Sequence, residues 1–236
     1  MDGSGSDGSK VFGGFTEPAH RVLDLARDEA ERFGHRYLGP EHVLLGLLAE
    51  GQSGAAGLLR VHGVDLTAAR TGLARLRDRG VVPAPRPSGA ELLGSLGIDL
   101  DAVRRDTEQT FGIQAVGEAT WRVTRRRGWW NRKRVVWTPL CGPPLTAKRA
   151  LWLASEQAQA LGHGEIRPEH LLLGVLEDAR QPAGKVRVSR RHRQITAHVG
   201  LPDDYQGAAG PLLAALELDL DQLHDAVTAE LGGVRR

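Results

Sequence analysis

The 236 residues are 41% hydrophobic and 25% charged, enough apolar material to bury a core in one or two domains. A single cysteine, Cys141, excludes an internal disulfide framework and fits a reducing, cytoplasmic setting. The Gly-, Ser- and Asp-rich start lacks the apolar stretch of a signal peptide, the apolar runs are too short to cross a bilayer, and a net charge of +2 is no global basic field.

Residues 1–14 read as a flexible lead. Thr16 is expected to cap a first helix that Pro18 helps to start, with Ala19, Val22, Leu23, Ala26, Ala30 and Phe33 on one buried face and Gly34 as its stop. A second helix begins at Pro40-Glu41, its carboxylate in the first turn where the dipole favours it. Val43-Leu44-Leu45 and Leu47-Leu48 are apolar on nearly all sides, so this helix is expected to be the buried one. A third runs from Gly54 to His62 and stops at Gly63. Asp65 then caps a fourth that reaches about Leu76, completing a unit over 15–79.

That unit is spelled twice. Gly34-His35 and Glu41-His42-Val43-Leu44-Leu45-Gly46 return as Gly162-His163 and Glu169-His170-Leu171-Leu172-Leu173-Gly174, at the constant offset of 128 that separates His42 from His170. The register holds upstream, from Ala19 and Ala147 to Ala30 and Ala158. A fixed offset over some thirty residues marks a duplicated structural unit. The second copy spans 144–233 and carries a basic insertion at 181–206. Between the copies, 80–112 holds a Pro-rich breaker and a third version of the second half, Leu92-Leu93 through Gly97-Ile98-Asp99. The last version puts Glu217 where the others have glycine, which suggests a tighter or more helical turn there.

Residues 113–143 break the helical pattern. Arg122, Arg125, Arg126, Arg127, Arg132, Lys133 and Arg134 lie between Trp121 and Trp137 without an acid, which leaves the remainder near −5. Apolar–polar alternation around Gly128 and Asn131 reads as a β-hairpin.

The Gly-His, spacer, Glu-His-(Val/Leu)-Leu-Leu-Gly pattern resembles the N-terminal repeat of Clp-type protein unfoldases, especially ClpC. The resemblance implies an all-α fold of tandem four-helix repeats related by a pseudo-two-fold, here with a basic hairpin-like insertion. It also implies a docking platform for protein substrates and adaptors, and hence a peptide ligand or a Clp unfoldase as partner. In this family a threonine opening the first helix and the glutamate of the Glu-His pair are implicated in reading phosphorylated arginine. Thr16 and Glu41 match both positions. In the second repeat Glu169 remains, but the gapless alignment puts Pro144 where the threonine belongs.

The residues themselves argue against catalysis. No Gly-x-x-x-x-Gly-Lys-(Ser/Thr) phosphate loop occurs, so the motor that accompanies these repeats is absent from these residues. Gly51-Gln52-Ser53-Gly54-Ala55 lacks the last glycine of a nucleophile elbow, and the Glu-His pairs are not His-Glu-x-x-His. No cofactor, metal or catalytic residue is expected, and the histidines read as structural. The expected peptide groove lies between the repeats, with Thr16, Arg21 and Glu41 on one side and Lys148 and Glu169 on the other. Arg21 and Lys148 are chosen for their place at the helix starts. The rival reading is a nucleic-acid regulator that grips phosphates and bases with Trp121, Arg125, Arg126, Arg127, Trp129, Trp130, Arg132 and Arg134. The same residues also suit a protein partner, because Trp and Arg are enriched in interface hot spots.

Overall fold

The computed structural model describes residues 14–83, 94–112, 146–180, 201–202, 205 and 207–233. The basic hairpin reading of 113–143, with all eight of its Trp and Arg contacts, lies outside the described residues, as do the lead before Gly14 and most of the 181–206 insertion.

The described residues are almost entirely helical. Helices α1 (Glu17–Arg32), α2 (Pro40–Glu50), α3 (Gly54–Val61) and α4 (Leu66–Asp78) form the first repeat. Helix α5 (Leu100–Phe111) follows. The second repeat consists of α6 (Lys148–Ala160), α7 (Pro168–Arg180), α8 (Ala209–Ala215) and α9 (Leu220–Gly233). Two two-residue strands, β1 (Gly14–Phe15) and β2 (Glu165–Ile166), pair in parallel, Gly14 opposite Glu165 and Phe15 opposite Ile166. The chain divides into two compact units: Met1–Pro85 with Pro143–Arg236, and Arg86–Gly142. The first unit therefore contains both full repeats. The second contains α5, whose start is capped by Asp99 through the N–H groups of Asp101 and Ala102.

Helix starts follow the sequence signals. Thr16 accepts from the Ala19 N–H, Ser53 from Ala56 and Asp65 from Ala68, each a side-chain oxygen satisfying a donor that the helix itself cannot. Glycine stops them. Gly34, Gly63 and Gly97 all take the left-handed conformation that a Cβ disfavours. The turn at Glu217 is a correction to the sequence expectation. Its φ is +54°, the same left-handed state that Gly63 adopts in repeat one, and the Leu218 N–H closes on the Leu213 carbonyl as Val64 closes on Leu59. The turn is neither tighter nor more helical; a side chain simply occupies a glycine position.

The core runs through both repeats. Every residue of α2 from Pro40 to Leu48 is buried, and α7 is nearly as enclosed. These two central helices pack on each other. Helix α1 lies against α2 and α6 against α7, while the second halves meet as α3 with α9 and α4 with α8. A shared apolar seam thus joins the two copies, as a duplicated unit with one common core requires.

The central crossings depend on two glycines at the 128 offset. A Cβ on Gly46 would strike the Val22 carbonyl and come within 2.8 Å of the Ala26 nitrogen. One on Gly174 would strike the Ala150 carbonyl and come within 2.7 Å of the Ala154 nitrogen. The glycine of the repeated Leu-Gly is there so that two helix backbones can touch.

Candidate functional site

The repeated histidines pair, buried in the first repeat and part-buried in the second. His35 Nδ1 and His42 Nε2 are 2.8 Å apart, and His163 Nδ1 and His170 Nε2 are 2.9 Å apart. Backbone donors settle which nitrogen carries the proton. The Gly39 N–H donates to His42 Nδ1, and the Arg167 N–H to His170 Nδ1, both at 2.9 Å. His42 and His170 therefore hold their proton on Nε2 and donate it to the partner imidazole. This requires neutral rings. Burial, reinforced by His42, lowers His35 to about 4; burial lowers His42 to about 3; burial, with His163 and Arg167 beside it, lowers His170 to about 4. Each pair ties the loop after the first helix of its repeat to the first turn of the second. Among the described residues there is no cluster of three or more His, Cys, Asp or Glu arranged to hold a metal.

The repeated glutamates reach across to the opposite repeat. Glu169 Oε1 accepts from the Ala55 N–H at 3.2 Å, at the start of α3. Glu41 Oε2 accepts from the Ala208 N–H at 2.9 Å, at the start of α8. Each Glu-His glutamate therefore caps the third helix of the other copy, where the helix dipole favours an anion. Thr16 is tied the same way: its N–H and hydroxyl both donate to the Ile166 carbonyl, at 3.0 and 3.3 Å. The counterpart of Ile166 is Leu38, whose carbonyl accepts from the Ala147 N–H and the Thr146 hydroxyl. Thr146 thus takes the carbonyl contact that the gapless alignment left to Pro144.

An open groove of about 470 Å³ gathers Thr16, Arg21, Glu50, Ser53, Arg167 and Glu169. Arg21, half exposed, is 3.7 Å from Glu50, whose own side chain is enclosed. Burial alone would raise the Glu50 carboxyl. The N–H groups of Ser53 and Gln52, with Arg21, outweigh it and hold the group below the ordinary carboxylate range. Two cations, two carboxylates and the starts of α1 and α3 therefore line one depression.

Thr16, Arg21 and Glu169 share this groove, but Glu41 and Lys148 are not part of it. Glu41 is fully buried at the other end of the pseudo-two-fold, enclosed by Ala208 and by the Tyr205 hydroxyl at 3.1 Å. Lys148 is exposed at the start of α6. The 128 offset pairs Arg21 with Arg149, which Lys148 displaced in the sequence reading. Arg149 bridges Asp178 at 3.3 Å as Arg21 bridges Glu50. Arg167 was also missed, because nothing in its one-dimensional context marks it.

The chain is similar in sequence to known proteins. Residues 14–89 match the family model described as Clp repeat (R) N-terminal domain. The chain is 27% identical over 225 residues, 93% of its length, to the negative regulator of genetic competence ClpC/MecB of Bacillus subtilis. It is 30% identical over 216 residues, 84% of its length, to the chloroplastic ClpA homolog of the Clp protease ATP-binding subunit from Brassica napus. It spans 21% and 19% of those two proteins. The N-terminal domain of ClpD from Arabidopsis thaliana is similar at 18% identity and a TM-score of 0.49, covering 96% of this chain and 99% of that one. The doubled chain thus carries a Clp repeat N-terminal domain of the kind found in ClpC- and ClpA-type proteins.

Proposed function

We propose that the chain is a non-catalytic docking module that holds polypeptide segments in the groove between α1, α3 and α7, with phosphorylated arginine as the recognised side chain. The observation that carries this reading is the pairing of charges in the groove. Arg21 and Arg167 and the helix starts at Thr16 and Ser53 suit a phosphoryl group; Glu50 and Glu169 suit the guanidinium attached to it. A phosphoarginine side chain needs both signs within one side chain's reach. Such a module handles segments destined for a Clp unfoldase, delivering them to the motor or withholding them from it.

Calorimetric titration of the full chain with free phosphoarginine, and with an arginine-phosphorylated peptide against its unphosphorylated parent, tests the reading. Saturable binding of the phosphorylated forms alone is expected. Arg21→Ala is expected to weaken it about tenfold or more, the worth of a charge-assisted bond. Equal affinity for both peptides would sink it. Adding the chain to a Clp motor and protease then separates delivery, which speeds client degradation, from withholding, which slows it.

A further inference from the structure

The two ends of the pseudo-two-fold carry matching recognition sets but are not in the same state. At the open end stand Thr16, Arg21, Glu50 and Glu169. At the other, the counterparts are Thr146, Arg149, Asp178 and Glu41: Thr146 meets the Leu38 carbonyl as Thr16 meets that of Ile166, and Arg149 bridges Asp178 as Arg21 bridges Glu50. Both glutamates cap the third helix of the opposite copy. The second end thus repeats the threonine, arginine and carboxylate positions of the first, while Gly39 stands where the open end has Arg167 and the start of α6 has no side-chain cap.

What differs is a tyrosine. The Tyr205 hydroxyl donates to Glu41 Oε1 at 3.1 Å and lies 3.0 Å from the Tyr37 hydroxyl, with the two rings edge to face at 5.5 Å. Beside it, Gly207 runs so close to α2 that a Cβ there would sit 2.5 Å from Pro40 and 3.1 Å from Glu41 Oε2. The matching backbone at the open end is Gly54, where a Cβ would be 3.1 Å from Glu169 Oε1. Among the described residues, no aromatic ring lines the groove at Glu169. The residue at 37 + 128 is Glu165, which is exposed, and Gln52 before α3 is exposed as well. Glu41 is fully buried while Glu169 is partly open. A buried glutamate is therefore not a requirement of the scaffold, since its twin caps the equivalent helix from an open groove.

We propose that Tyr205 is a built-in occupant of the second docking end, its phenol taking the place of a ligand's donor on Glu41, so that the chain offers one site where its duplicated scaffold provides two. This rests on the docking reading above and makes the module asymmetric. A segment can be held at the Glu169 end at once, whereas the Glu41 end takes one only after Tyr205 has left. Tyr205 lies in the part of repeat two that the sequence stretches between α7 and α8.

The test has two independent readouts. Calorimetry of the full chain with free phosphoarginine is expected to give one equivalent for the wild type, one for Tyr205→Phe, whose ring stays in place, and two for Tyr205→Ala. Far-UV circular dichroism is expected to show that each variant keeps its helices. The chain has only two tyrosines, Tyr37 and Tyr205, and both belong to the closure. Nitration by tetranitromethane, read by mass spectrometry, therefore reports it without any ligand. Both rings are expected to react at least about tenfold more slowly than in the urea-unfolded chain, as groups protected by a closed state do, and Tyr205→Ala is expected to speed nitration of Tyr37. Two equivalents already in the wild type, or one in Tyr205→Ala, would overturn the closure while leaving the docking reading intact. No binding by any variant would overturn the docking reading, and nitration would then decide the closure: rates equal to those of the unfolded chain would sink it.

Discussion

Single residues carry consequences that can be measured separately. Glu217 holds a left-handed φ of +54° in a turn where the other copies have glycine. For a residue with a Cβ that conformation costs roughly 1–2 kcal/mol, and glycine's extra unfolded-state entropy gives back part of the difference. Glu217→Gly is therefore expected to stabilise the fold by about 0.5–1 kcal/mol, visible as a higher urea midpoint with an unchanged slope. The histidine pairs set a pH dependence of definite sign. His35, His42 and His170 take up protons in the unfolded chain near the ordinary imidazole value of about 6.5 but only at about 4, 3 and 4 when folded. The unfolded state thus binds more protons as the pH falls, and the stability these rings confer is complete above about 6.5 and lost towards 4. Asp178, which burial raises to about 6 against the pull of Arg149, acts in the opposite sense, as does Glu41, raised by burial. These two offset part of the three. Urea melts are expected to weaken from pH 7 to pH 5, while nitrogen-detected resonances keep His42 and His170 in the Nε2–H form over that range. Charged imidazoles at pH 6 would contradict the pairing.

At the scale of an element, helix contact depends on what is missing from a side chain. Gly46 and Gly174 let α2 meet α1, and α7 meet α6, backbone to backbone. Overpacking a tight core costs about 1–3 kcal/mol, and here the obstacle is main chain that cannot rotate away. Gly46→Ala is expected to lie at or above the top of that range, with a matching loss for Gly174→Ala. Thermal unfolding followed by circular dichroism checks both; a change below about 0.5 kcal/mol would mean that the helices can slide apart. Helix starts were legible in the sequence for a local reason. A cap is a bond over three residues, so Thr16 and Asp65 declare themselves without tertiary help. The left-handed turn at Glu217 was not legible, because its conformation is imposed by the backbone bonds on either side rather than by the residue itself.

Over the whole molecule, the duplication puts each repeat's glutamate on the other repeat. Removing Glu169 takes away both a groove carboxylate and the cap of α3, so Glu169→Gln is expected to weaken phosphoarginine and cost about 1 kcal/mol of stability together. Arg21→Ala at the groove rim is expected to weaken binding with little change in melting. This contrast, measured on the same two samples, separates recognition from architecture. Among the described residues no helix is long and apolar enough to cross a membrane.

The sequence by itself determined the helices, their caps, the doubling and the helical fold class, because periodicity, capping and a constant offset are written in neighbouring residues. It also placed Thr16, Arg21 and Glu169 among the groove residues, while choosing Lys148 over Arg149 although the same offset singles out the arginine. Only the tertiary structure decided that Glu169 faces an open groove and Glu41 a closed one. Both glutamates sit in the same motif, and the difference is made by Tyr205, 164 residues away in the chain. No local pattern encodes a contact between residues that meet only when the two copies pack together.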